Sequence, residues 1–323
     1  MKVDIHTNLE WFPTSKSSST KIYASVEQMA NFLTLNGVDV NFCLYPRDQY
    51  HMLEKLAELT PNIKHIGVQV LMGACAEDAT DVDNITLDVN HPTRSFKQGG
   101  MCHGIKIASH RGWWNRDGEI NSGFDYGRGD GRLLTKLLRA MPDGSICSMH
   151  MQGDPIQNSA SIPTTVGMYA YKNPTKKFII NHAGDFGQGG LSNKPKRYRT
   201  ITKKNEVNFF PAYRFAHSKG LIATAVAMAN TMHNVMIDTS VFTPFKGLAM
   251  KGCKRWAIGS DYPFQIKPDN DKLKSTSKMF INEEKKFINV IGEDLVKQCH
   301  ENAYHWLTTD IETLIAENEW YVE

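Results

Sequence analysis

Short apolar runs alternate with amphipathic stretches along most of this chain. Val3 and Ile5 lie in a first strand at 2–6 that runs into His6, Thr7 and Asn8. A polar, Ser-rich segment follows at 14–20. Over 25–35, Val26, Met29, Ala30 and Leu33 recur at helical spacing, and Asn36-Gly37 ends that helix. A second strand at 38–45 is closed by Pro46, and a helix at 48–59 is stopped by Thr60-Pro61. A third apolar run occupies 63–72. The acidic, turn-rich stretch 75–98 reads as a loop or a local elaboration. Five more strands are predicted at 104–109, 145–150, 178–182, 235–239 and 254–260, with helices at 132–141, 212–232, 283–291 and 293–307. A turn and helix at 310–320 close the pattern.

Eight strands alternating mostly with helices predict an α/β protein built as a single (β/α)8 TIM barrel, with long loops at its C-terminal face. The strands are apolar throughout rather than alternating, as expected where both faces are buried. An open doubly wound sheet would show a glycine-rich phosphate loop after an early strand. None follows residues 2–6. The barrel is expected over 1–309 and a helical extension over 310–323. Leu314, Ile315, Trp320 and Tyr321 of that extension either cap the barrel or pack on a second subunit, the route to a homo-oligomer.

Composition narrows the partners. Of 323 residues, 41% are hydrophobic and 22% charged, an ordinary globular balance. The net charge of +3 is too small to argue for nucleic acid. No run approaches the roughly 20 apolar residues of a membrane helix. The first residues lack the apolar core of a signal peptide, so a cytoplasmic protein is expected. Six scattered cysteines with no CxxC pair are expected to be reduced and buried.

Chemistry in such a barrel gathers at the C-terminal ends of the strands. The polar residues there are His6 and Asn8 after strand 1, Lys106 and His110 around strand 4, His150 after strand 5 and His182 after strand 6. Asp261 follows strand 8. Its run Trp256-Ala257-Ile258-Gly259-Ser260-Asp261-Tyr262-Pro263 delivers one carboxylate from a buried strand into a turn. Imidazoles and a carboxylate converging at one mouth form a nitrogen and oxygen donor set for a divalent metal such as zinc. Such an ion lowers the pKa of a bound water and polarises a carbonyl.

Asp4-Ile5-His6-Thr7-Asn8, Gly104-Ile105-Lys106-Ile107, Met149-His150, Asn181-His182-Ala183-Gly184, Asn234-Val235-Met236-Ile237-Asp238-Thr239-Ser240, Gly259-Ser260-Asp261-Tyr262-Pro263 and Asn302-Ala303 stand in that order along the chain. Together they resemble the ordered motifs of the amidohydrolase superfamily. More narrowly, they resemble its amidohydrolase-related branch of aminocarboxymuconate-semialdehyde decarboxylase-like enzymes and small lactonases. The resemblance implies one divalent metal, zinc or the harder manganese, held by His6, Asn8, His150 and Asp261. It implies His182 as a catalytic or supporting histidine and Asp261 as a general base. The branch usually has a histidine where Asn8 stands, and an amide oxygen is a weaker, harder donor.

The implied activity is metal-dependent hydrolysis of an amide, ester or lactone in a small anionic substrate, with a metal-activated water as nucleophile. Non-oxidative decarboxylation on the same site is the alternative. A silent barrel that binds a ligand or partner is the rival outside enzymes. Lys106, His110 and Trp113 are the candidate substrate contacts. The basic connection 185–208 is a candidate lid for an anion. His65, His103 and His217 lack a strand-end position and read as structural, and His300 and His305 fall on the last long helix.

Overall fold

Each of the eight apolar runs becomes a strand of one parallel sheet, ordered β1 to β8 as in the sequence. The computed structural model describes residues 1–9, 24–46, 49–71, 87–107, 129–151, 163–184, 210–263, 266 and 271–319. The strands are β1 (Val3–Asn8), β2 (Val40–Pro46), β3 (Lys64–Leu71), β4 (Cys102–Ile107), β5 (Ile146–Met149), β6 (Lys177–Ile180), β7 (Val235–Asp238) and β8 (Trp256–Ala257). All seven neighbouring pairs are parallel. Beyond the end of β8 the chain closes onto β1. Ile5 N donates to Ile258 O (3.1 Å), Asp261 N to His6 O (2.8 Å) and Asn8 N to Tyr262 O (2.8 Å). The predicted (β/α)8 barrel is the observed fold.

Helices α1 (Val26–Leu35), α2 (Tyr50–Leu59), α3 (Gly129–Ala140), α4 (Pro163–Lys172), α5 (Phe210–Thr231), α6 (Pro244–Met250), α7 (Asp271–Thr276), α8 (Met279–Ile291), α9 (Glu293–Thr308) and α10 (Ile311–Glu319) follow in chain order. Helix α1 begins with a capping box, in which Ser25 and Gln28 each accept the other's backbone N–H. Helix α4 is absent from the sequence reading. Its Pro163-Thr164-Thr165-Val166-Gly167 start combines β-branched residues with a glycine, which masks the helical signal. A Cβ at Gly167 would stand 2.7 Å from Met228 Cε, so the glycine lets α4 approach α5.

Two apolar layers follow from strand alternation. Val3, Ile5, Val40, Phe42, Leu44, Ile66, Val68, Val70, Ile146, Ile179, Met236 and Ala257 fill the barrel. Cys43, Tyr45, Ile105, Cys147, Phe178, Ile180, Val235, Ile237 and Ile258 pack outward under the helices. The base is plugged by Ala303, Trp306, Leu307, Ile311 and Leu314, which join the interior cluster. Lys177 Nζ reaches the same plug from β6 and donates to Trp306 O (2.7 Å), Leu307 O (3.4 Å) and Thr309 O (2.6 Å). These are carbonyls at the end of α9 that the helix itself cannot satisfy.

The five cysteines among the described residues are free, and Cys43, Cys102, Cys147 and Cys299 are buried. No helix among the described residues is long and apolar enough to cross a membrane.

Candidate metal centre and barrel mouth

The interior phase of β1 changes once. Val3 pairs with Val40 and Asp4 with Asn41, but Thr7 pairs with Cys43, so two β1 residues stand against Phe42 alone. This bulge spends one extra residue. Without it, strict alternation would place His6 and Asn8 on the helix side together with Asp4. With it, Ile5 stays in the barrel core and His6 turns inward to meet β7 and the end of β8. Asp4 fixes the bulge from outside, accepting from His6 N (3.2 Å) and Ser260 N (2.9 Å) through Oδ1. Burial pushes the Asp4 carboxyl up to about 7, against the pull of these hydrogen bonds.

Alternation along the other strands brings Lys106, His150, Asn181 and Asp238 to the same mouth, and all are buried. Asp238 is the hub. His6 Nδ1 donates to its Oδ2 at 2.6 Å. Asn181 Nδ2 (3.0 Å) and Ser240 Oγ (2.9 Å) donate to the same oxygen, and Ser240 N donates to Oδ1 (2.7 Å). Burial raises the Asp238 carboxyl, but the charge and hydrogen bond of His6, then His182 and Asn181, outweigh it. The group is held well below the usual carboxylate range and is ionised. Asn181 is oriented in turn by Ser148 Oγ, which donates to its Oδ1 (2.9 Å).

Asp261 stands across from His6, with Oδ1 3.5 Å from His6 Nε2. Asn8 Nδ2 donates to Tyr262 O (3.1 Å) and Asp261 Oδ1 (3.4 Å). Its amide oxygen is therefore the atom it has to offer a ligand. Burial raises the Asp261 carboxyl to about 6, with Asp238 adding to the rise and His6, Lys106 and Asn8 opposing it. Lys106 is pushed down to about 8 by burial, against the fields of Asp238 and Asp261. His182 contacts Ser240 Oγ through Nδ1 (2.8 Å) and His150 Nδ1 through Nε2 (3.2 Å). Burial drives its pKa well below the ordinary histidine value, so the ring is neutral.

Among the described residues, the left-handed non-glycine positions all lie at the mouth. His182 (φ 57), Ala183 (φ 55), Val241 (φ 64) and Asp261 (φ 53) all adopt the left-handed region, which costs a non-glycine residue about 1–2 kcal/mol. Lys246 from α6 pins one of these turns, donating to Val241 O (3.2 Å) and Ser240 O (3.5 Å). Gly259 completes the packing. A Cβ there would lie 2.5 Å from Asp238 Oδ1 and 2.8 Å from His6 Cβ, so only glycine lets β1 and β7 side chains meet across β8.

Of the residues singled out from sequence, His6, Asn8, Lys106, His150, His182 and Asp261 are buried at this mouth. His110, Trp113 and the 185–208 connection lie outside the described residues. His65 is structural, holding Asn41 Nδ2 (3.2 Å) and Thr60 Oγ1 (2.8 Å). Asp238 and Ser240 received no role from sequence, although Asp238 ends an apolar strand just as Asp261 follows one.

The donor set fits a divalent ion. His6, His182 and Asp238 each present a ligand atom within 4.8 Å of the others. Within that trio, the 2.6 Å contact of His6 Nδ1 with Asp238 Oδ2 is a hydrogen bond and too short for two ligands of one ion. The opposite edge of His6 offers a second pair of donors. Two ligands about 2.0–2.2 Å from a tetrahedral ion lie roughly 3.3–3.5 Å apart, and His6 Nε2 and Asp261 Oδ1 are 3.5 Å apart. A carboxylate on the far nitrogen of a ligating histidine is the usual support in metal sites.

No protein-family model and no curated protein sequence matches the chain. Solved structures do. An amidohydrolase from Burkholderia multivorans with bound zinc is 10% identical, covering 94% of this chain and 98% of its own, with a TM-score of 0.52. A 2,6-dihydroxybenzoate decarboxylase from Rhizobium is 12% identical over 95% of this chain and 99% of its own, with a TM-score of 0.49. A dihydroxybenzoic acid decarboxylase from Polaromonas sp. JS666, with manganese and 2-nitroresorcinol bound, is 12% identical over 87% and 85%, with a TM-score of 0.44. The likeness to the Burkholderia protein is one of fold.

Proposed function

We propose that this chain is an enzyme that holds one divalent metal at the barrel mouth and hydrolyses a carbonyl-type bond, an amide, ester or lactone, in a small anionic molecule. The observation that carries this reading is the 3.5 Å spacing of His6 Nε2 and Asp261 Oδ1, backed by Asp238 on the far side of His6. The zinc of the Burkholderia amidohydrolase supports the choice of a divalent ion. His6, His150 and Asp261 are assigned as ligands, with the amide oxygen of Asn8 as a fourth donor. The metal is zinc, or manganese if the oxygen-rich character of the set prevails.

A bound ion supplies Lewis-acid polarisation of the substrate carbonyl and a more acidic water. The protein does the rest. Asp261 takes a proton from the attacking water and returns it to the leaving group. Lys106 offers a buried cation to an anionic substrate group, with its charge offset by Asp238 and Asp261 until the substrate arrives. His182 has both ring nitrogens engaged with Ser240 and His150, which places it to support the site.

One observation favours decarboxylation as a second reading. Asp261 is placed between His6 and Asn8, where its carboxyl can also deliver a proton to the carbon left behind when carbon dioxide departs. Metal analysis of protein prepared without chelator or nickel tests the shared core of both readings. Wild type should carry close to one equivalent of zinc or manganese, and Asp261→Ala and His150→Ala should carry none while remaining folded. Full metal content in both variants would overturn the assignment. Oxygen-18 uptake from water, against carbon dioxide release, then separates the two reactions on a panel of small esters, lactones and aromatic acids.

A further inference from the structure

Ring protons are fixed by what each nitrogen faces, and the mouth contains an unbroken run of such contacts. Both oxygens of Asp238 already accept, Oδ1 from Ser240 N at 2.7 Å and Oδ2 from Asn181 Nδ2 at 3.0 Å, so the 2.6 Å contact takes its proton from His6 Nδ1. Ser240 Oγ lies 2.9 Å from the same carboxylate oxygen. Its hydrogen must point there, because two acceptors at that distance would repel. Ser240 Oγ is then left as an acceptor toward His182 Nδ1, 2.8 Å away, and toward His6 Nδ1, 3.2 Å away. His182 therefore carries its proton on Nδ1 and an open lone pair on Nε2. That lone pair faces His150 Nδ1 at 3.2 Å, so His150 must donate from Nδ1. Its Nε2 then holds a lone pair as well.

We infer that Ser240 is a positioning residue that carries the polarity of Asp238 through His182 to His150, fixing all three histidines as the Nδ1–H tautomer. The outcome is that His6 and His150 each keep a lone pair on Nε2, beside Asp261 Oδ1 at 3.5 Å for His6 and on a buried atom for His150, the form a metal ligand needs. One carboxylate thus prepares two ligands on different strands, directly for His6 and through two intervening hydrogen bonds for His150. This inference rests on the metal reading for its purpose, but the tautomers are a property of the protein alone.

The reverse polarity is the alternative to exclude. If Ser240 donated to His182, then His182 would protonate Nε2, His150 would protonate its own Nε2, and His150 could not ligate. Removing the hydroxyl should release this choice. In Ser240→Ala, His182 Nδ1 loses its acceptor, and the pair loses the contact that selects donation from His150 over donation from His182. Ser240→Thr keeps a hydroxyl at the same position and serves as the conservative control.

The test is nitrogen-15 NMR of histidine ring nitrogens in the metal-free full-length chain, with signals assigned by their loss in His6→Gln, His150→Gln and His182→Gln. The wild type should show all three rings protonated at Nδ1. Ser240→Ala should admit the Nε2–H form of His182 and His150 alongside the Nδ1–H form, and Ser240→Thr should not. Zinc affinity, read by competition with a chelator, should fall about 10–100-fold in Ser240→Ala and recover in Ser240→Thr. Wild-type His150 protonated at Nε2 would overturn the inference, and that measurement needs no variant to fold. Unchanged tautomers in a folded Ser240→Ala would overturn it equally. If the tautomers respond as expected but neither protein binds zinc or manganese, the relay stands and the metal reading fails.

Discussion

Lys177 at the base of the barrel and Lys106 near its mouth are both buried cations on strands, and both are pushed down to about 8 by burial. They are accommodated in opposite ways. Lys177 is spent on three backbone carbonyls at the end of α9, so its charge closes a structural account that the helix leaves open. Lys106 is set against the fields of Asp238 and Asp261, two groups of the candidate site. Among the described residues, no non-glycine at the base adopts the left-handed region, and Lys177 is satisfied within the fold. The mouth gathers four left-handed residues and several ionisable groups in a few ångströms. A similar shift at two ends of one barrel therefore signals structure in one place and chemistry in the other. The partners, not the shift, tell them apart.

Lys177→Met should have the largest effect on stability, a loss of about 3 kcal/mol, because buried carbonyls at a helix end lose their donor. Denaturant unfolding measures it, and metal content should not change. A loss below about 1 kcal/mol would break the contrast with the mouth.

Acid should also strike through the structural histidine near the base. Burial lowers His65 from 6.5 to about 4. Above 6.5 the ring is neutral in both folded and unfolded chains, and its contribution is fully present. Between 6.5 and 4 the unfolded chain takes up a proton that the folded ring refuses, so stability falls as pH falls. The loss attributable to this group reaches about 3 kcal/mol by pH 4. His65→Gln should flatten that part of the stability profile while leaving the rest of the acid limb in place.

Gly259→Ala is expected to cost about 2 kcal/mol, since the new methyl meets Asp238, His6 and Ser240 at less than 3 Å. Unlike Lys177→Met, it should also weaken zinc binding, measured by chelator competition. Lys106→Met should move stability less than Lys177→Met, because no helix-end carbonyl loses its donor, the cost being the cation lost from beside Asp238 and Asp261. Its loss should appear in kcat/KM, about tenfold or more once a substrate is found. A stability loss as large as that of Lys177→Met would mean that Lys106 is structural too.

Much of this was legible in the sequence. Eight apolar runs gave the barrel, and the polar residues after strands 1, 4, 5, 6 and 8 gave most of the mouth. Asp238 was equally visible in kind, because Ile237-Asp238-Thr239 repeats the pattern of an apolar strand running into a carboxylate. Nothing local, however, says that its oxygens face a histidine 232 residues earlier. The bulge in β1 was not readable. It contains no glycine and shows itself only in the register against β2. Lys177, preceded by Lys176, looks like part of a solvated pair until the end of α9 is placed beneath it. Helix α4 was hidden by its own composition, and tertiary packing overrides that weak propensity.

The seam between β1 and the end of β8 has a consequence for biosynthesis. Asn8 and Asp261 are separated by 253 positions, and every contact between the two halves of the mouth waits for the last strand to dock on the first. A nascent chain leaving the ribosome can form seven-eighths of the barrel without owning the complete centre. Metal capture would then be a checkpoint at the end of folding. An ion that binds only the closed barrel adds RT ln(1 + [L]/Kd) to its stability, about 2.7 kcal/mol at a hundredfold excess over Kd. Chains that close incorrectly would forgo that gain and be the ones left open to proteases.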